Sequence, residues 1–191
     1  MKLKAIKNSI IFRFVDKVNI KGEFEKGTTE SGIMLNASVD DSAKSPRWVN
    51  VIDVGPECES VKPGMQMLLP ALRWTAASKF DGELYWKSDE SQAAVVRDSE
   101  TSELVPVNKT IIVKRSKPKV TTSASGLMVI GNLGTDTPSA EVVSISAKCE
   151  ADLAGSTVYF HDESVFEDFK HNGEQFTFIK EDDVIVYTKP E

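Results

Sequence analysis

The chain has 191 residues, 40% of them hydrophobic and 27% charged, and carries a formal net charge of −6. That composition suits a folded, water-soluble chain rather than a disordered or fibrous one, and no apolar run approaches the roughly 20 residues that a bilayer crossing needs. The acidic balance argues against a nucleic-acid backbone as the main partner, because that role asks for Lys and Arg concentrated on one face.

Taken in order, the elements are short and β-like. Met1-Lys2-Leu3-Lys4 leads into a charged strand without the apolar segment of a secretory signal, which makes a cytoplasmic protein the expectation. Ser9 to Val15 predicts a first strand, and a long polar stretch from Asp16 to about Pro46 follows it. Trp48 to Val54 is dominated by β-branched residues and predicts a second strand, broken by Gly55-Pro56. Val61-Lys62-Pro63-Gly64 reads as a tight turn, Gly82 to Trp86 as a later strand and Ala93 to Val96 as a closing one. The polar, acidic run Arg97 to Leu104 suits a linker.

The same order then recurs: a strand at Thr110 to Lys114, a long stretch from Ser116 to about Pro138, and a strand at Glu141 to Ile145. A turn at Asp152 to Gly155 and strands at Gly173 to Phe178 and Val184 to Tyr187 complete it. Cys58-Glu59 returns as Cys149-Glu150, 91 positions on (149 − 58), and Gly64, Gly82-Glu83 and Glu90 return at the same offset as Gly155, Gly173-Glu174 and Glu181. The offset grows to 101 at the first strand (111 − 10, Ile10 against Ile111). A tandem repeat is the economical reading. It predicts domains at 1–98 and 104–191 joined by a linker at 99–103, each an all-β small barrel with a long mobile loop.

Each long stretch contains one apolar cluster on a Thr/Ser/Gly background. Gly32 precedes Ile33-Met34-Leu35, and Gly126 precedes Leu127-Met128-Val129. The offset here is 94 (126 − 32), so every length difference between the copies falls beside these triplets. Insertions collect in exposed loops. The triplets therefore read as presented docking groups, with Gly32 and Gly126 as hinges; the alternative is that each merely opens a core strand. Cys58 and Cys149 are too few for a disulfide framework or a thiolate zinc cluster and read as free thiols, with a link between subunits as the alternative. His161 and His171 fall in no recognised metal-ligand spacing. Trp74 and Phe166 read as packing residues, with contact to an enclosed polypeptide the sharper alternative, and Trp48 and Trp86 read as barrel packing.

The order of these signals resembles the co-chaperonin (GroES-like, chaperonin-10) family, the lids that close a chaperonin folding chamber. The resemblance rests on Leu3, Ile6, Ile10 and Ile11 with Leu104, Val107, Ile111 and Ile112, and on the Ser-Gly-triplet loops. Val51 to Gly55, Val61 to Gly64 and Glu181 to Val186 are also similar to family motifs, and Thr29 to Met34 is similar to the loop of phage-encoded members. The departures are two domains in one chain, short segments where the family builds its roof (55–61 and 146–153), and no Asp after the turn glycines Gly64 and Gly155. The resemblance implies a homo-oligomeric ring that docks Ile33, Met34, Leu35, Leu127, Met128 and Val129 into a GroEL-like chaperonin. It further implies an unfolded client, a phage capsid protein among the candidates, in a roomier chamber. The chain itself would need no cofactor, ATP being bound and hydrolysed by the chaperonin. A non-enzymatic phage structural or assembly protein is the competing reading. A related barrel occurs in zinc-dependent alcohol dehydrogenases, but Gly131-Asn132-Leu133-Gly134 is no dinucleotide fingerprint and follows no βαβ pattern, so no enzymatic activity is expected.

Overall fold

The computed structural model describes residues 3–19, 24, 45–115, 120–122, 128–130, 138–160 and 167–190. The regular structure of the described residues is strand, apart from two single-turn 3-10 helices at Glu90–Gln92 and Glu181–Asp183. Among the described residues no helix is long and apolar enough to cross a membrane.

The first sheet holds β1 (Ser9–Phe14), β2 (Arg47–Val54), β3 (Gln66–Leu69), β4 (Ser78–Phe80), β5 (Glu83–Asp89), β6 (Val95–Arg97) and β7 (Val105–Pro106), in the order β4-β5-β1-β2-β3-β6-β7. The second holds β8 (Thr110–Arg115), β11 (Ser139–Ile145), β12 (Thr157–Phe160), β13 (Glu167–His171), β14 (Glu174–Lys180) and β15 (Val184–Thr188), in the order β13-β14-β8-β11-β12-β15. Between β8 and β11 stands a hairpin of β9 (Val120–Thr122) and β10 (Met128–Ile130). The described strand pairs are antiparallel.

The registers of the two sheets correspond residue by residue under the sequence offsets. Phe12 pairs with Val51 and Trp86, and Val113 pairs with Val142 and Thr177. Met67 pairs with Val49 and Val96, and Val158 with Ala140 and Tyr187. Both central pairings are interrupted by a β-bulge at the same place, between Ile11 and Phe12 and between Val142 and Ser144. The β4–β5 and β13–β14 hairpins turn on Asp81-Gly82 and Asn172-Gly173, with φ of 47° and 87°, and 49° and 80°. Positive φ at both central residues suits the tight right-handed hairpin turn, which accounts for Asp or Asn followed by Gly.

Alternation along the strands sends one face inward. Ile10, Phe12, Val49, Val51, Met67 and Leu69 fill the first core, and Ile111, Val113, Ala140, Val142, Val158 and Phe160 fill the second. A third apolar cluster joins the halves: Leu68, Ala94 and Val95 of the first sheet meet Ile112, Phe169 and Phe178 of the second. Trp48 belongs to this seam rather than to a barrel interior, with its ring 6.2 Å from Phe169 and the Arg97 guanidinium 3.8 Å over it. Trp86 does lie in the first core, 5% exposed. The stretch after residue 103 opens not on its own sheet but on the first, because Val105 and Pro106 pair with Val96 and Val95.

Candidate functional site

The first long stretch leaves the sheet at Phe14 and returns at Arg47, on adjacent strands whose pairing runs to Phe14 against Val49. The Val15 amide donates to the Trp48 carbonyl at 3.0 Å, so the stretch starts and ends at nearly one point. Its root is aromatic. The Phe14 ring packs edge-on against Phe24 (4.8 Å), Trp74 (5.1 Å) and Trp86 (4.8 Å), while Arg47 lies 4.4 Å over Phe24 and pairs with Asp16 at 2.7 Å. Edge-to-face rings add to the area they bury, so Phe24 is held down beside the strand ends. Trp74 therefore serves as packing.

The second long stretch leaves at Arg115 and returns at Ser139, again between paired strands. Its root is polar at the positions that are aromatic or aliphatic in the first half. Arg115 stands where Phe14 does, Thr177 where Trp86 does, Asp168 where Ala77 does and Gln175 where Leu84 does. Arg115 grips Asp168 with two bonds from Nη2, 2.8 and 2.7 Å, and Thr177 and Gln175 also donate to that carboxylate. Burial works to raise the Asp168 pKa, but the bonds from Thr177 and Arg115 outweigh it and hold the carboxyl below its ordinary value.

Gly32, Ile33, Met34, Leu35, Gly126 and Leu127 lie outside the described residues, as do His161 and Phe166. Met128 and Val129 lie in β10, paired with Thr122 and Thr121 of β9. That hairpin places the end of the second triplet on a two-stranded ribbon separate from the two larger sheets.

At the other end of each sheet a carboxylate, buried in the first and half-buried in the second, organises the segment after the second strand. Glu90, 7% exposed, accepts the amide hydrogens of Glu59, Ser60 and Val61 at 2.6 to 3.0 Å. Glu181 accepts those of Glu150 and Ala151, both at 2.8 Å. The sequence marked these two glutamates only as equivalent positions. A conspicuous Glu on an acidic turn was the available signal, but its target could be read only once the turn was seen to face residues 59–61. Cys58 and Cys149 sit beside them as free thiols that donate toward the Ser9 and Thr110 carbonyls. Burial first, and then the charge of Glu90 or Glu181, raises both thiol pKa values, which disfavours the reactive thiolate.

The arrangement thus offers two sheets of one register, each emitting a long polar stretch from one end and closing the other with a pinned segment.

Residues 103–187 match the family model of the chaperonin 10 kDa subunit.

The chaperonin 10 match begins just ahead of β7 and runs into β15, so it takes in the polar root, the β9–β10 hairpin, the Glu181 anchor and the Leu127-Met128-Val129 triplet. It marks residues 103–187 as similar to a family whose members work with a chaperonin and are generally not enzymes. No curated protein matches the chain.

Proposed function

We propose that the whole chain is a co-chaperonin made of two tandem domains of this one kind, each a closed barrel, that caps a chaperonin ring. The observation that carries the proposal is the chaperonin 10 match over residues 103–187. It extends to the first half through the shared register, the shared bulge position and the shared glutamate anchor. The docking groups are Ile33, Met34 and Leu35 in one half and Leu127, Met128 and Val129 in the other, presented by turns at Gly32 and Gly126. Burying each such side chain in an apolar groove contributes roughly 1.5–3 kcal/mol. Ordering a polar loop costs on the order of 1–2 kcal/mol per fixed residue, so one loop alone binds weakly. Several loops on one rigid ring make the later contacts intramolecular, and the cap is held by avidity. Weak units also let go when ATP turnover in the chaperonin reshapes the groove. The central Met of each triplet suits a pocket that changes shape, because its thioether is flexible.

In this reading the short segments 55–61 and 146–153 leave a thin roof and a roomy chamber for an unfolded client, such as the capsid protein of a phage. The place of work in this reading is the cytoplasm, that of the bacterial host for a phage-encoded chain. Electron microscopy of the chain mixed with a chaperonin and ATP tests the proposal: caps are expected at the ring ends. Their absence with a competent chaperonin would favour an assembly protein of tandem β domains instead.

A further inference from the structure

The roots of the two long stretches stand on either side of one contact. Trp48 closes the first root, because its carbonyl accepts the Val15 amide hydrogen at 3.0 Å, and Arg47 beside it pairs with Asp16 at 2.7 Å. Asp168 closes the second root by taking both bonds from Arg115 Nη2. Phe169, the next residue, lies edge-on to the Trp48 ring, with centroids 6.2 Å apart. Two adjacent residues of β2 thus meet two adjacent residues of β13, and each pair includes the residue that closes a root.

The alternation of side chains along a strand lets β13 serve both sides at once. Glu167, Phe169 and His171 turn toward the first half. Glu167 Oε2 accepts the Ala71 amide hydrogen at 2.7 Å, Phe169 meets Trp48, and His171 Nδ1 is 3.1 Å from the Arg97 guanidinium. Arg97 in turn lies 3.8 Å over the Trp48 ring. Asp168, between them, turns to Arg115 and Thr177 of its own half. β13 is the edge strand of its sheet, so β14 alone fixes its backbone. A rotation of β13 that takes Asp168 off Arg115 carries Phe169 across Trp48, because a single planar peptide joins the two residues.

Among the described residues the first half has no counterpart of this strap. β4 is three residues long, its Ser78 and Lys79 are exposed, and Ala77 stands where Asp168 does.

We infer that β13 couples the two roots, so that closing one favours closing the other through Asp168-Phe169 and Trp48. In the co-chaperonin reading, on which this consequence rests, docking of one triplet readies the other, and the two stretches of a chain engage together rather than in turn. The coupling itself needs no chaperonin.

Amide hydrogen exchange of the full chain alone tests this, since the protection of an amide reports how often the bond that shields it opens. The Val15 amide reports on the first root. The Phe160 amide, which donates to the Pro138 carbonyl at 3.1 Å where the second stretch returns, reports on the second. Arg115→Gln, which loses the paired bonds to Asp168, should lower Val15 protection about fivefold, the lower end of typical coupling between sites. The Gly55 amide, bonded to the Ser9 carbonyl at the opposite end of the first sheet, should keep its protection. Lys114→Gln, one residue away and paired with Glu174 instead, should leave Val15 unchanged. Coupling is reciprocal, so Arg47→Gln should lower Phe160 protection as well. In a Phe169→Leu background, which removes the ring contact with Trp48, Arg115→Gln should add nothing at Val15. The inference is overturned by a Val15 amide indifferent to Arg115→Gln, or by an equal loss at Gly55 or in Lys114→Gln. A Phe160 amide indifferent to Arg47→Gln, or a Val15 effect that persists in the Phe169→Leu background, would overturn it too. Because no chaperonin is present, none of these outcomes bears on whether the triplets dock.

Discussion

The Glu90 carboxylate lies beneath residues 59–61 and accepts their amide hydrogens, so one side chain satisfies three donors, that of Val61 buried and the other two part-buried. Replacing it with Gln keeps the shape but turns one acceptor into a donor facing those amides. Glu90→Gln should lower stability by about 2–3 kcal/mol, the scale of hydrogen bonds to a charged group, read as a shifted urea midpoint. An unchanged midpoint would mean that the segment holds itself. His171 makes a pH-dependent contribution. Its Nδ1 is 3.1 Å from the Arg97 guanidinium, and burial together with that positive charge lowers its pKa below the ordinary 6.5. The folded state therefore disfavours the protonated ring. Its contribution is fully present above pH 6.5 and is lost as pH falls from there through the lower folded value. Nearby Glu167 works the other way, since burial raises its pKa and folding then favours its protonated form. Comparing the native chain with His171→Asn cancels the Glu167 part. The stability difference between them should change below pH 6.5 and stay flat above it; a constant difference at every pH would contradict the assignment.

Among the elements, β2 and β11 were legible because β-branched residues crowd them, and β1 and β8 because they are nearly continuous apolar runs. β4 and β13 were not, since Ser78-Lys79-Phe80 and Glu167 to His171 carry no such run and exist by pairing across their Asp-Gly and Asn-Gly turns. Gly55 was read as a strand break, but its position has a stricter requirement. A Cβ there would stand 2.0 Å from the Lys7 carbonyl oxygen and within 2.8 Å of the Ile6 carbonyl, both backbone atoms that cannot swing aside. Gly55→Ala should cost at least about 2 kcal/mol by overpacking. A calorimetric melt would register this as a clear fall in Tm, and no fall would show that residues 6–7 give way freely. The loop roots were legible only as places where strands stop. That one is a ring of aromatics and the other an ion-paired polar cluster depends on which side chains share a sheet end, and this emerges only after the register is known.

On the scale of the whole molecule, the repeat offsets foretold two sheets of one register, but the seam between them could not be read from either half alone. Trp48 looked like a barrel residue because it opens a strand; it faces outward, onto Phe169, under the Arg97 guanidinium. The β7 pairing explains why the linker can be short: the chain crosses to the second half by adding one more strand to the first. In the proposed function, two halves tied in this way carry both triplets on one body, which is the condition for avidity within a single chain. The measurement closest to the central claim is the affinity for a chaperonin in ATP of variants with serine at Ile33-Met34-Leu35, at Leu127-Met128-Val129, or at both. Each single-triplet variant should bind at least about tenfold more weakly and the double variant should form no caps. Caps that persist with both triplets replaced would contradict the account.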